Sequence, residues 1–134
     1  MTAFIDKVAW IHLENGRILS TRSRGKDAYY LPGGKREPGE TDLDTLCREI
    51  EEELTVTIDP ATATYKGTWE AQAHGHAAGI TVRMTCYTAA YTGTLAPSHE
   101  IEEVIWLTYA DRPRVAPVDQ LIFDDLHQQG ELTT

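Results

Sequence analysis

A short acidic segment, Arg48-Glu49-Ile50-Glu51-Glu52-Glu53, contains the residues of this sequence best suited to chemistry. In a helix, where successive residues turn by about 100°, Glu49, Glu52 and Glu53 fall on one side. Neighbouring carboxylates repel one another, and a divalent cation removes that repulsion. Oxygen ligands of this kind suit Mg²⁺ or Mn²⁺, whereas no cysteine–histidine set indicates zinc. Taken alone, the segment also fits a plain solvated helix face.

A glycine pair, Gly33-Gly34, lies shortly before this segment and changes its interpretation. Glycine lets the backbone approach a metal–phosphate complex closely, although an isolated Gly-Gly is usually only a turn. Combined with Lys35, Glu40 and the acidic segment, the pair favours phosphoanhydride hydrolysis. In that reaction a cation neutralises phosphate charge while a free carboxylate activates a water molecule.

The acidic segment requires a helix to position it, and the sequence predicts one from Thr41 to Leu54. Thr41 is a plausible N-cap, and Asp42 and Asp44 suit the positive end of the helix dipole. Apolar residues recur with helical spacing on the opposite side, at Leu43, Leu46, Cys47, Ile50 and Leu54. The following residues, 55–58, are poor helix formers, and Asp59-Pro60 ends the segment.

The remaining pattern alternates strands and helices. Asn15-Gly16 predicts a hairpin turn between strands at 8–13 and 17–22. Further strands are expected at 65–73, 80–91 and 104–107, and Pro117 suits the first turn of a final helix. The order of elements predicts one mixed α/β domain over residues 1–134.

The composition and charge of the chain argue against some classes of function. The apolar fraction of 41% is normal for a globular protein, and the formal net charge of −9 disfavours binding to a nucleic acid polymer. Cys47 and Cys86 match no metal-ligand spacing and are expected to be buried free thiols. No apolar segment is long enough to cross a membrane, and Asp6-Lys7 interrupts any signal-peptide core. We therefore expect a cytoplasmic protein without a membrane partner.

The region from Gly34 to Val56 resembles the Nudix family. That family's box reads Gly, five residues, Glu, seven residues, then Arg-Glu-apolar-any-Glu-Glu-any-Gly-apolar. The chain matches every specified position but one, with Gly34, Glu40, Arg48, Glu49, Ile50, Glu52, Glu53 and Val56. The departure is Thr55, where the family usually has a glycine in a positive-φ conformation. This change affects the exit from the helix and leaves the carboxylates in place.

The resemblance implies an α/β/α sandwich of the α+β type, with a mixed β-sheet and a loop–helix–loop catalytic motif. It also implies Mg²⁺, or alternatively Mn²⁺, as the cofactor. The expected metal ligands are Gly34 through its carbonyl, Glu49, Glu52, Glu53 and Glu100. Glu49 could instead be the water-activating base, and Glu103 is second to Glu100 as the late glutamate. Arg48 would pair with Glu40 and orient the glutamates.

The substrate follows less directly from the sequence. The resemblance implies a small nucleotide, and the expected binding residues are Arg22, Gly33, Tyr30, Lys35 and Asp119. A MutT-like nucleoside triphosphate pyrophosphohydrolase, releasing a monophosphate and pyrophosphate, is the favoured activity. An ADP-ribose or nucleotide-sugar pyrophosphatase is the alternative. A non-catalytic nucleotide-sensing domain is an alternative of another class, and a homodimer is left open.

Overall fold

The computed structural model describes residues 4–134 and has the α+β architecture expected from the sequence. In the described part of the chain the strands are β1 Phe4–Trp10, β2 Leu13–Glu14, β3 Arg17–Ser23, β4 Gly33–Lys35, β5 Thr57–Ile58, β6 Thr64–Gln72, β7 Thr81–Thr88, β8 Tyr91–Thr92 and β9 Ile101–Leu107. The helices are α1 Asp42–Leu54 and α2 Pro117–Gln128, with short 3₁₀ segments at Pro60–Thr62 and Tyr109–Arg114.

A mixed four-stranded sheet in the order β4-β1-β7-β6 forms the centre of the fold. Strand β1 is internal in this sheet, because it pairs with β7 in parallel and with β4 in antiparallel orientation. A second sheet, β2-β3-β9, is antiparallel, and β5 pairs with β8 as a small ribbon. Thus β4, which carries the glycine pair, lies directly beside β1.

The two helices cover separate cores. On the α1 side, Leu46, Ile50 and Leu54 pack with Val8 and Trp10 in one cluster of buried residues. On the α2 side, the buried cluster contains Ala9, Val82, Met84, Ile122, Phe123 and Leu126. Side chains alternate across a strand, so successive residues of β1 contribute to different layers. This arrangement is the α/β/α sandwich.

Local chemistry accounts for the ends of α1. Thr41 accepts a hydrogen bond from the Asp44 backbone, and the Asp44 side chain accepts one from the Thr41 backbone, which completes a capping box. At the other end Thr55 has φ 60° and ψ 25°, the left-handed conformation for which the family usually has glycine. The helix therefore begins and ends where the sequence predicts. A β-branched residue adopts this conformation at an energetic cost.

Some assignments made from the sequence were inaccurate. The first strand runs from Phe4 to Trp10, not from 8 to 13, because its full length pairs with β7. Residues 32–34 were interpreted as a break in the chain, but Gly33 and Gly34 belong to β4 and pair with β1. The predicted strand at 80–91 divides into β7 and β8, because the chain leaves the central sheet after Thr88 and pairs with β5.

Both cysteines are free thiols, with Cys86 buried and Cys47 only partly so. No helix within residues 4–134 has the length and apolar character needed to cross a membrane.

Candidate active site

Arg48 is bound on several sides at the start of the acidic segment. Its Nε donates to Oε2 of Glu40 and its Nη2 to Oε1 of the same carboxylate, each at 2.8 Å. Its Nη1 donates to Oε1 of Glu49 at 2.7 Å, and Nη2 also reaches the Lys35 carbonyl at 3.1 Å. These hydrogen bonds from Arg48 lower the pKa of Glu40 to about 2. Arg48 thereby ties the loop before α1 to the side chain of Glu49.

Glu49 lies against the glycine pair. A Cβ added to Gly34 would lie 2.3 Å from the Glu49 carboxyl carbon, so only glycine leaves this space open. Burial raises the pKa of Glu49, while its hydrogen bond with Arg48 opposes the rise. The glycine is therefore needed at this position because the carboxylate occupies the volume that a side chain would fill.

Glu53 is the buried carboxylate of the site. Glu53 is 6% exposed, and its Oε1 accepts a hydrogen bond from the Gly33 backbone amide at 3.0 Å. Burial, together with the nearby carboxyls of Glu49 and Glu100, raises the pKa of Glu53 to about 8. Besides burial, the main influences on Glu53 are therefore two other carboxyls and one backbone amide. That is the electrostatic environment that a divalent cation stabilises.

Glu100 reaches this group from a different part of the fold. It precedes β9, and its backbone carbonyl accepts from the Arg24 amide at 2.9 Å. Its carboxyl is close enough to raise the pKa values of Glu49 and Glu53, after the larger effect of burial on each. The fold thus brings Glu49, Glu53 and Glu100 together from two distant segments.

Glu52 occupies a more open position. Its side chain is 45% exposed and lies 3.9 Å from Nη1 of Arg48. It borders a shallow surface depression with Arg48, Glu51 and His99 rather than the space next to Glu53. Across residues 4–134, no group of three or more acidic, histidine or cysteine side chains already has the geometry of a metal site. The carboxylates are therefore neighbours in an open arrangement, and their donor type suits Mg²⁺ or Mn²⁺.

A cavity of about 190 Å³ opens beside the glutamates. Gly33, Gly34 and Glu53 line its end near α1, and Tyr30 lines its wall. Two loop histidines, His74 and His76, also border it. The cavity therefore joins the carboxylate cluster to a surface with aromatic and imidazole groups.

Lys7 is a cavity residue that sequence reasoning missed. Its ammonium lies 5.5 Å from the centre of the Tyr30 ring, and burial lowers its pKa. Ile5 and Ala9, two residues away on either side, pack in the α2-side core, so Lys7 sits at a core-facing position of β1. The alternation of Lys7 with the apolar residues Ile5 and Ala9 along the strand could have identified it from the sequence.

Asp119 is completely buried below this cavity. Its Oδ2 accepts from the Leu31 amide at 2.7 Å, while its Oδ1 has no hydrogen-bond partner among residues 4–134. Burial raises the pKa of Asp119 to about 7, although the nearby Lys7 opposes the rise. The carboxyl does not line the cavity, but Leu31, Ala116 and Val118 around it do.

The other expected substrate contacts are more peripheral. Arg22 donates to Glu102 at 2.9 Å and to Glu103 at 3.2 Å, so its charge is engaged on the β3–β9 surface. Lys35 is exposed, and its charge contributes to the lowered pKa of Lys7 after the larger effect of burial. Neither residue lines the cavity.

From the sequence, Trp10, Tyr29, Tyr30 and Trp69 are aromatic candidates for stacking on a base, but most of them have structural contacts instead. Trp10 is fully buried, and the Trp69 indole donates to Asp125 at 2.7 Å. Tyr29 donates to Glu103 at 2.8 Å. Tyr30 is the aromatic residue among these candidates that borders the cavity.

The family model for the NUDIX domain matches residues 6–126. The chain therefore belongs to the Nudix family, whose members are hydrolases of pyrophosphate bonds. No curated protein matches the sequence significantly.

Solved structures of this family have the same fold. The E. coli ORF135 protein aligns with a TM-score of 0.76 and 24% identity, over 96% of this chain and 92% of that chain. A MutT Nudix hydrolase from Burkholderia pseudomallei gives a TM-score of 0.75 and 25% identity, over 90% and 96% of the two chains. A MutT protein from Methanosarcina mazei Go1 gives 0.75 and 18%, over 96% of each. The chain thus has the architecture of MutT-like proteins.

Proposed function

We propose that this protein is a Mg²⁺-dependent nucleotide pyrophosphohydrolase that converts a nucleoside triphosphate to a monophosphate and pyrophosphate. The observation that carries the proposal is the convergence of Glu49, Glu53 and Glu100 beside a cavity. Mn²⁺ is the alternative cation, because it prefers the same oxygen ligands. A small nucleotide is the proposed partner, in the cytoplasm.

The proposed metal ligands are Glu49, Glu52, Glu53, Glu100 and the Gly34 carbonyl. The buried Glu53 and its neighbour Glu49 offer oxygens on the side of α1 that faces β4. Glu52, one residue before Glu53, would complete the set from the exposed side of the helix. When bound, a divalent cation would neutralise charge on the phosphates and would make a water molecule easier to deprotonate.

The protein's own residues carry out the rest of the proposed mechanism. Arg48 fixes the direction of Glu49 and leaves its second oxygen available, either to bind the cation or, as the alternative role, to accept a proton from the attacking water. Gly33 donates its amide to Glu53 and so orients the carboxylate toward the cluster. Lys7 and Lys35 place positive charge near the phosphates, because they lie on paired positions of β1 and β4. The backbone of Gly33 and Gly34 allows a phosphate to approach closely.

The cavity accounts for the nucleoside part of the proposed substrate. A volume of about 190 Å³ suits one base and part of its ribose, and the aromatic ring of Tyr30 offers a face for stacking. Asp119 is fully buried and does not line the cavity, so its proposed role in binding the base acts through Leu31, whose amide donates to its carboxylate. A space of this size accommodates one base, which supports a substrate with a single nucleoside, such as a triphosphate, over a dinucleotide.

A substrate panel with product identification tests this proposal. The panel contains the ribo- and deoxynucleoside triphosphates, ADP-ribose, nucleotide sugars and dinucleoside polyphosphates, each assayed with and without Mg²⁺. We expect Mg²⁺-dependent release of pyrophosphate from at least one triphosphate. Preferential cleavage of ADP-ribose or a nucleotide sugar would contradict the triphosphate assignment but would still show that the protein is a hydrolase.

A second measurement separates an enzyme from a nucleotide sensor. Calorimetric titration of the same compounds detects binding that does not lead to turnover. Tight binding of a nucleotide with no hydrolysis at any Mg²⁺ or Mn²⁺ concentration would refute catalysis and favour a sensing role.

A further inference from the structure

The loop that precedes Glu100 is hydrogen-bonded to the C-terminal end of α1. We name residues 94–99 the capping loop. Its Ala96 amide donates to the Leu54 carbonyl and its Ser98 amide donates to the Glu53 carbonyl, each at 3.0 Å. The last carbonyls of a helix lack partners within the helix, so the capping loop supplies donors that α1 itself cannot. This contact joins two segments that are far apart in sequence.

His99 adds a side-chain donor to the same contact. Its Nδ1–H donates to the Glu52 carbonyl at 2.9 Å, so the imidazole caps the carbonyl that precedes the one bound by Ser98. The residue has φ 53°, a left-handed conformation that costs energy for most side chains. Its own carbonyl accepts from the Arg24 guanidinium at 2.9 Å. His99 is thus held directly before Glu100 by contacts on both sides.

Thr55 completes the contact from the helix side. Its backbone amide donates to the Glu51 carbonyl, and its hydroxyl donates to the Thr94 carbonyl at 3.1 Å. Glycine, the usual residue of the family at this position, has no hydroxyl and makes no such bond. The departure from the family pattern therefore provides a hydrogen bond to the first residue of the capping loop.

We propose that Thr55 and His99 are positioning residues, which hold Glu100 opposite Glu49 and Glu53 by fixing the capping loop to the end of α1. This inference rests on the proposed divalent-cation site, which it extends to residues outside the family box. Neither residue lines the cavity, and neither is among the proposed cation ligands. Each acts through Glu100, whose backbone follows His99 directly and whose carboxyl lies with the other two.

The test measures cation affinity separately from stability. Free Mn²⁺ is counted by electron paramagnetic resonance during titration of the whole protein, and thermal unfolding is followed without metal. Thr55→Val removes the hydroxyl and keeps the branched shape, whereas Thr55→Ser keeps the hydroxyl. We expect Thr55→Val to weaken Mn²⁺ binding about three- to tenfold and Thr55→Ser to bind nearly as the wild type does.

A second pair of variants tests His99 independently. His99→Gly permits the left-handed backbone but lacks a donor, whereas His99→Asn favours the same backbone and retains a nitrogen at the δ position. We expect His99→Gly to weaken Mn²⁺ binding and to raise the Mg²⁺ concentration needed for half-maximal turnover. His99→Asn should change the Mn²⁺ affinity and the Mg²⁺ requirement less than His99→Gly does. The KM for nucleotide at saturating Mg²⁺ should stay within about twofold of the wild type.

Thr133→Val is the matched control, because its hydroxyl donates to the Gly16 carbonyl at 3.0 Å far from α1. Thr133→Val should change the unfolding temperature and leave the Mn²⁺ affinity unchanged. The positioning role is overturned if the wild type binds Mn²⁺ while Thr55→Val and His99→Gly bind it equally well, even if both variants unfold at lower temperature. Failure of the wild type to bind Mn²⁺ would instead overturn the proposed cation site itself.

Discussion

Arg48 holds Glu40 through two parallel hydrogen bonds of 2.8 Å and, with its remaining terminal nitrogen, reaches Glu49 at 2.7 Å. One guanidinium therefore links the entry loop to a carboxylate of the candidate site. The planar guanidinium can form this parallel pair and still contact a second carboxylate, whereas an ammonium lacks the fork geometry for the parallel pair.

Replacing Arg48 by lysine tests this link. We expect Arg48→Lys to lower kcat about 10- to 100-fold, because Glu49 loses its fixed orientation while the overall charge is kept. Steady-state kinetics of the preferred nucleotide provide the measurement. Arg83→Lys is the control, since Arg83 pairs with Glu70 on an exposed surface. Equal kinetics for the two variants would remove Arg48 from the mechanism.

The buried carboxylate of Glu53 gives a second prediction. Glu53→Gln should reduce turnover at least about a hundredfold, because it removes a proposed metal ligand. The melting temperature should stay the same or rise, since the neutral amide avoids the cost of a buried charge. Glu51→Gln, an exposed position on the same helix, should behave as the wild type does. A fully active Glu53→Gln protein would contradict the site.

The two glycines of β4 should respond differently to alanine. In Gly34→Ala the new methyl group meets the Glu49 carboxyl, a flexible side-chain end, so we expect lost activity in a folded protein. In Gly33→Ala it meets the Val8 carbonyl oxygen at 2.2 Å, and φ is 150°, so we expect a much lower melting temperature. Circular dichroism melts and kinetics distinguish the two. Similar melts for both variants would be inconsistent with this packing.

Asp119 predicts a dependence of stability on pH. Its pKa of about 7 exceeds the value of 3.8 for an unperturbed aspartate, so between these pH values the folded state keeps a proton that the unfolded state has lost. This contribution is fully present below about pH 4 and is lost as the pH rises through 7. At about 1.4 kcal/mol per pKa unit the loss is at most about 4 kcal/mol.

Urea unfolding from pH 4 to pH 8, compared between the wild type and Asp119→Asn, measures this contribution. Lys7 faces Asp119 and moderates the effect, and Tyr30 and Cys86 are the other titratable groups influenced by its charge. The difference in unfolding free energy between variant and wild type should shift in favour of the variant as the pH rises. A constant difference across this range would show that Asp119 titrates normally.

The sequence predicted local structure wherever one residue type decides the backbone. The turn at Asn15-Gly16 is confirmed, with φ values of 54° and 75°. The Thr41 cap and the helix start at Pro117 are confirmed as well. Turn and cap residues act through their own dihedral angles or hydrogen bonds, so these features are readable without knowledge of the fold.

Features that depend on tertiary contact were not readable in this way. The sequence places Glu49, Glu52 and Glu53 on one helical arc, but burial of Glu53 and exposure of Glu52 follow from how β4 packs on α1. The role of Lys7 was hidden for the same reason, since its strand was expected to begin one residue later. The pairing of Arg22 with Glu102 and Glu103 requires the β3–β9 register.

The central position of β1 has a consequence for how the chain folds. Phe4 pairs with Thr81 and Trp10 pairs with Tyr87, so the first strand finds its parallel neighbour only after most of the polypeptide has been synthesised. Until then the growing chain exposes an unpaired, apolar edge. Contacts of such sequence separation slow folding and lengthen the time during which intermediates can aggregate. Slow refolding, limited by docking of the amino-terminal strand, is the expected kinetic behaviour.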